Sequence, residues 1–388
     1  MKISGIVCEY NPFHNGHMYH IEKTRENGAT HIVAVMSGNF VQRGEPAVLD
    51  KFTRAELAVK SGVDLVIELP VAYCLSPAEK FASGAVNILD SLGVVDEISF
   101  GSECGNIENL IRTAYISEDS AHSEDVRLLM EKGCTYPKAL HDIIRRKDIE
   151  SAEIIASPNN LLAVEYLKAL KSSGSSIKPF TVGRVGTYHD SNMISGRFAS
   201  ASHIRRLFYS GEDFGGLMPE IWENALKNGN TAELRQLEQI ILYCVRTSSL
   251  EKIAGTGGVK GIAERIYKNR AESLDNLLES VKSKCFTMAG IKRVLMSLLI
   301  GITREDTEIP PPYIRVLALN SRGQEILASA RKTKKIPVGT SLSKLSRLNS
   351  GANRFAEIEN TASDVYSLAV RNPVPAGLDY TRQIKIQE

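Results

Sequence analysis

The sequence predicts an α/β fold, a parallel sheet with helices on both faces, followed by a mainly α-helical domain. Three observations carry that expectation. Short β-branched runs alternate with helix-like stretches through the first hundred residues. From about residue 202 apolar residues recur at helical spacing. The 388-residue length also exceeds one typical domain of ~100 to 200 residues.

Residues 3–9, 31–36, 63–69 and 94–100 are short, apolar and bounded by Gly, Pro or polar residues, as strands are. Residues 18–26, 51–61 and 78–92 read as the intervening helices. Strand–helix alternation favours parallel pairing, and ligands of such sheets bind beyond the carboxyl ends of the strands. His14, Asn39 and Gly101 fall there. In the second half, Ile291, Leu295, Leu298 and Ile302 recur at steps of four, three and four, with Val294 and Leu299 widening the stripe. A glycine-rich stretch, 255–261, and Pro310-Pro311-Pro312 interrupt the helices. A strand-like 384–386 closes a proline-containing tail. The expected boundaries are a nucleotide-binding domain over 1–207 and a helical, basic domain over 208–388.

With 43% hydrophobic and 24% charged residues, and no apolar run near the ~18 residues of a membrane span, the composition is that of a globular protein. The zones of a signal peptide are absent after Met1, so a cytoplasmic location is expected, with no membrane partner. Cys8, Cys74, Cys104, Cys134, Cys244 and Cys285 are scattered, which indicates neither a disulfide framework nor a zinc site. The net charge of +2 hides an asymmetry: residues 281–388 hold 17 Lys and Arg against 9 Asp and Glu. A basic end suits a polyanionic partner.

The segment from Cys8 to His17 follows the first strand and precedes a helix, so His14 and His17 straddle the turn. A helix N-terminus offers unpaired N–H groups to phosphate oxygens. Gly16 permits close backbone approach, and two imidazoles can donate to charge developing on an α-phosphate. An isolated HxxH is more often a pair of structural histidines; its place after the first strand, the glycine and the Asn-Pro-Phe flank favour the anion site. Met36 to Ala47 places Arg43 on the ligand side of the sheet, to hold a phosphate or acyl carboxylate, or to pair with Glu45 or Asp50.

HNGH in this position resembles the HxGH signature of the nucleotidylyltransferase superfamily. The longer strings EYNPFHNGH and MSGNFVQRGEPA together resemble the bacterial tRNA(Met) cytidine acetate ligase family, over nearly the whole chain. The resemblance implies a Rossmann-like nucleotidylyltransferase domain. It implies attack of acetate on the α-phosphate of ATP, with Mg²⁺ on the triphosphate, and acetyl transfer to N4 of the wobble cytidine of elongator tRNA(Met). It assigns His14 and His17 to catalysis. ATP contacts follow along Val7, Cys8, Glu9, Tyr10, Asn11, Pro12, Phe13, His14, Asn15, Gly16, His17, Met18, Tyr19 and His20, and at Gly101, Asn159, Arg184, Ser202 and Arg205.

Gly101 follows a strand in FGSE; Asn159 and Asn160 open a helix, one capping it and the other free to bind. Arg184 is glycine-flanked, ahead of Tyr188-His189-Asp190. Ser200, Ser202 and Arg205 resemble the superfamily's ISSTxIR motif, with alanine at one serine. The basic segment Arg331, Lys332, Lys334 and Lys335 is either a solvated face or a tRNA grip. Residues 255–261 lack P-loop spacing, and Ser341 to Ser346 only faintly resembles a synthetase lysine signature. A small-metabolite nucleotidylyltransferase is the alternative reading.

Overall fold

The computed structural model describes residues 1–121, 123–131, 136–184, 196–258, 261–384 and 386–387. Its centre is a seven-stranded sheet. In chain order the strands are β1 (Ile3–Cys8), β2 (His31–Ser37), β3 (Phe40–Val41), β4 (Glu45–Pro46), β5 (Leu65–Leu69), β6 (Glu97–Ser102), β7 (Lys178–Gly183), β8 (Ile314–Leu319) and β9 (Val338–Gly339). The sheet order is β7-β6-β1-β2-β5-β8-β9, while β3 and β4 form a separate two-stranded ribbon. β7, β6, β1, β2 and β5 are parallel; β8 runs antiparallel to β5 and β9 parallel to β8. The fold is Rossmann-like.

β2 shows why this chain makes a two-sided sheet. All seven of its residues are buried. Val33 and Val35 enter the core shared with helix Ala78–Leu92, whereas Ile32, Ala34 and Met36 enter the core on the other face. Alternating side chains supply both layers, as strands covered on both faces require. The helices α1 (Asn15–Glu26) and α2 (Lys51–Lys60) pack on the second face.

The expected helical stripe is found: Ile291, Val294, Leu295, Leu298 and Ile302 are buried in a third core. That core also takes Phe40, Val71 and Leu75 from the first half of the chain. The boundary expected after residue 207 therefore separates neither sheet nor core. β8 and β9, from the half expected to be mainly helical, cover the edge that β5 would otherwise leave open. Ile386 bridges Leu319, so the tail touches this added strand. No helix among the described residues is long and apolar enough to cross a membrane. Tyr188, His189, Asp190, Val259 and Lys260 lie outside the described residues.

Five charged groups, all nearly inaccessible, fasten the returning chain to the sheet. Lys51 Nζ lies 2.5 Å from Glu68, 2.6 Å from Asp379 and 3.8 Å from Glu359; Arg315 reaches Glu68 at 3.0 Å and Asp379 at 2.6 Å. Burial, then the charge of Glu68, pushes the Glu359 carboxyl well up. Its Oε1 accepts a hydrogen bond from Val71 N at 2.5 Å, so Glu68 and Asp379 are the carboxylates in closest contact with the two cations.

Candidate active site

A cavity of about 350 Å³ opens at the carboxyl ends of β1, β6 and β7, where a parallel sheet places its ligands. The turn after β1 forms one wall. His14 is the N-cap of α1; its Nδ1 accepts a hydrogen bond from Gly16 N at 3.0 Å, and His17 Nδ1 accepts from His14 N at 3.2 Å. The rings stack with centroids 3.8 Å apart. A neutral imidazole that accepts at Nδ1 carries its proton at Nε2. The turn thus fixes two parallel Nε2–H donors.

Burial, with Arg184 adding to it, lowers His14 to about 3, and burial and then the His14 ring lower His17 well below the usual histidine range. Both rings are neutral donors at pH 7. His20, one turn further, is lowered to about 4 by burial and lies 2.9 Å from Ser99 Oγ. Gly16 is needed in this turn because a Cβ would stand 2.8 Å from His14 Cε1 and 3.0 Å from its Nδ1.

Val7, Cys8, Glu9, Tyr10, Asn11, His14, Gly16, His17, Tyr19 and His20 all line the cavity, joined by Gly101, Asn159, Arg184, Ser202 and Arg205. Pro12, Phe13, Asn15 and Met18 do not. Phe13 is fully buried beneath the turn and stacks on Trp222 at 5.2 Å. The Asn15 amide donates to Arg197 O and Gly216 O, both at 2.8 Å. Pro12 is buried, and Met18 packs on the same core as Phe13. These four hold the turn's shape.

Electrostatically the wall is cationic, with Arg43, Arg184 and Arg205 against the single carboxylate Glu9 among the lining residues. Arg184 is mostly buried, which lowers its pKa, and its Nε has no hydrogen-bond partner among the described residues. Arg205 Nη1 donates to Asn11 O at 2.6 Å. Ser200 caps helix Ala201–Ser210 by accepting from His203 N at 3.2 Å, and its Oγ lies 3.1 Å from Ser202 Oγ. A second helix N-terminus therefore faces the cavity beside that of α1, the arrangement that suits a polyphosphate. Glu9 Oε1 accepts from Gln42 N at 2.7 Å, and burial raises its carboxyl above the ordinary range.

The two asparagines are separated by their partners. Asn160 is buried, and its Oδ1 accepts from Glu103 N at 2.8 Å and Cys104 N at 3.1 Å. Asn159 lines the cavity, its Nδ2 2.6 Å from Glu103 Oε1. The expected asparagine cap is not what closes helix Pro158–Ser172: Ser157 makes no side-chain cap, and Glu103 accepts from Asn160 N at 2.8 Å instead. A carboxylate from another element does this work, which local sequence does not reveal.

A Cβ on Gly101 would meet Arg184 Cγ at 3.8 Å and Val182 O at 3.9 Å, ordinary contacts. Packing does not demand glycine there; the vacant volume belongs to the cavity. Gly101→Ala is accordingly expected to melt like the unmodified protein while KM for ATP, the ligand that the family resemblance implies, rises about tenfold, the cost of overpacking by one methyl being ~1 to 3 kcal/mol. Steady-state kinetics with a thermal melt checks both halves.

Several contributors escaped sequence reading. Phe100 and Tyr166 make an apolar wall with centroids 5.7 Å apart, and Phe198 closes another side. Such residues look like ordinary core at helix and strand positions. Arg54, fully buried, donates to Leu49 O at 2.9 Å, Glu9 O at 2.5 Å, Ser37 O at 3.1 Å and also to Gly38 O, bracing two cavity loops from behind.

Arg331, Lys332, Lys334 and Lys335 are exposed but far from the cavity. Lys335 N donates to Ser91 O at 2.7 Å and its Nζ sits 2.5 Å from Asp90, in the last turn of helix Ala78–Leu92. Ala78 and Phe81, in the first turn, line the cavity. Fifteen helical residues span about 22 Å. The basic segment thus sits about the length of this helix away from the cavity.

A family model described as HIGH Nucleotidyl Transferase matches residues 1–379. The tRNA(Met) cytidine acetate ligase of Thermoanaerobacter sp. (strain X514) is 40% identical over 98% of both chains, and that of Acetivibrio thermocellus 34% identical over 100% of both. Thermotoga maritima TmcAL, solved apo, superposes with a TM-score of 0.91 over 99% of each chain at 32% identity; its structure bound with alpha-thio ATP gives 0.90. Likeness carried from end to end, in sequence and in backbone, means that this chain belongs to the tRNA(Met) cytidine acetate ligase family.

Proposed function

We propose that the protein is an ATP-dependent ligase that activates acetate and transfers the acetyl group to N4 of the wobble cytidine of elongator tRNA(Met). In the first step an acetate oxygen attacks the α-phosphorus of ATP and pyrophosphate leaves. In the second the cytidine amine attacks the acetyl carbonyl of acetyl-adenylate; the N4–acetyl bond forms, AMP departs and the amine loses a proton. Working on tRNA, the enzyme would act in the cytoplasm.

The observation that carries this reading is the pair of Nε2–H donors held by the His14–His17 turn. They supply hydrogen bonds to charge gathering on the α-phosphate without themselves changing protonation state. Arg205, Ser202 and the start of helix Ala201–Ser210 are assigned to the outer phosphates, and Arg184 to the nucleotide. Phe100, Tyr166 and Gly101 offer the base an apolar slot. Among the described residues no group of three or more His, Cys, Asp or Glu is placed to hold a metal. Magnesium would therefore come on the triphosphate, with water completing its shell.

Acetate-dependent exchange of labelled pyrophosphate into ATP tests the reading. Exchange is expected with acetate and no tRNA. Exchange that needs a phosphorylated metabolite instead would establish the small-metabolite nucleotidylyltransferase in its place.

A further inference from the structure

If the ligase reading above holds, the RNA must reach the cavity mouth, and a cationic face stands there. From residue 280 to residue 304 the chain has five Lys and Arg and no Asp or Glu. Four of them, Lys282, Lys284, Lys292 and Arg293, sit in or just before the first turns of helix Met288–Ile300. This end of the helix abuts the cavity wall. Arg293 Nη1 donates to Gln42 O at 3.1 Å, and Gln42 and Arg43 line the cavity. Gly44, at φ +74°, lies so close to Arg293 N that a Cβ would clash with it. Lys292 is paired with Glu45, whose other oxygen is 4.0 Å from Arg205.

Immediately before this helix in the chain, residues 283–286 form a tight turn closed by Phe286 N to Ser283 O at 3.2 Å. Arg265 stacks over the Phe286 ring at 5.3 Å, beside exposed Lys282 and Lys284. Glu279, 3.5 Å from Lys282, is the acid nearest this corner in the chain. Lys292 and Arg293 are committed to contacts with the loop at Gln42 to Glu45, whereas Lys282, Lys284 and Arg265 are exposed. The segment at residues 331–335 differs in position: it lies about a helix length away from the cavity, where Lys335 is paired with Asp90.

We propose that Lys282, Lys284 and Arg265 form the face that holds the RNA phosphate backbone while a base enters the cavity past Arg43. Phosphate contacts of this kind position a nucleic acid and set the salt dependence of its binding. A single-stranded loop is the part of an RNA that can present an unstacked base there.

The test compares Lys282→Ala/Lys284→Ala with Lys332→Ala/Lys334→Ala in the full chain, using an unmodified elongator tRNA(Met) transcript titrated at several salt concentrations. The first variant is expected to bind about tenfold more weakly at 0.1 M salt, with a log–log salt slope shallower by about 1 to 2. The second is expected to bind as the parent does. Both should keep acetate-dependent pyrophosphate exchange, which shows the cavity intact. Parent-like affinity and slope in the first variant, or equal losses in the two, overturns the proposal. A parent enzyme that exchanges pyrophosphate without acetate, or ignores this tRNA, overturns the ligase reading itself.

Discussion

His14→Asn is expected to lower acetate-dependent pyrophosphate exchange by about 10²- to 10³-fold, the usual loss on removing one donor from a charge-stabilising site. Asparagine is chosen because it is itself a good N-cap. Its side chain can still accept from the N–H of Gly16, now made by His14 Nδ1, so α1 should form and the melting temperature change little. What disappears is the Nε2–H donor. A variant that keeps more than half of the exchange activity would show that the imidazole is not used. Gly16→Ala should approach the same loss by a different route, since its methyl displaces the His14 ring.

The same histidines predict a pH dependence with a definite sign. The folded protein lowers His14 to about 3 and His20 to about 4, with His17 lowered as well. Below the unfolded value of about 6.5 the unfolded chain binds protons that the folded chain refuses. Stability is therefore complete above that value and is lost as pH falls from about 6.5 toward 4, at up to ~1.4 kcal/mol per pH unit for each histidine. Exchange activity should stay level between pH 7 and 8 as far as these rings govern it. Urea denaturation at a series of pH values reads the first effect.

Arg315→Met is expected to destabilise the fold by about 3 to 5 kcal/mol, the range for removing one partner of a buried ion pair. Met approximates the arginine stem, so the loss is chiefly that of a charge which both Glu68 and Asp379 face at 3.0 Å or less. With Lys51 alone remaining, two carboxylates would share one cation in a site closed to water. Adding Asp379→Asn should recover part of the loss, because it restores the balance of charge. Equal instability of single and double variants in urea melts would mean that packing, not charge, governs the site. The effect should reach the cavity, since Lys51 N donates to Asn39 Oδ1 at 2.9 Å in the loop that leads to Gln42 and Arg43.

Legibility followed locality. The β1 strand, the turn through His14 and the start of α1 are consecutive, so one stretch of sequence contains the whole donor pair and the glycine that shapes it. The stripe from Ile291 to Ile302 was equally readable, because helical spacing is a short-range property. Asn159 and Asn160 could not be told apart, since what distinguishes them is Glu103, some 56 residues earlier. Arg54 offered no signal either, its partners being main-chain carbonyls that any residue provides.

By itself the sequence determined the α/β class, the place of the cavity and many of the residues that line it, all written within segments of a few turns or one strand. Tertiary structure alone decided that Trp222 underlies Phe13 and that β8 and β9 complete the sheet begun by the first half of the chain. It alone decided that Lys51 meets Arg315 and Asp379 around Glu68, and that the basic segment 331–335 lies at the last turn of helix Ala78–Leu92 while Arg293 contacts Gln42 of the cavity wall. The physical reason is that burial and charge pairing are satisfied by whatever the fold brings near. Partners more than two hundred residues apart leave no periodicity or spacing along the chain.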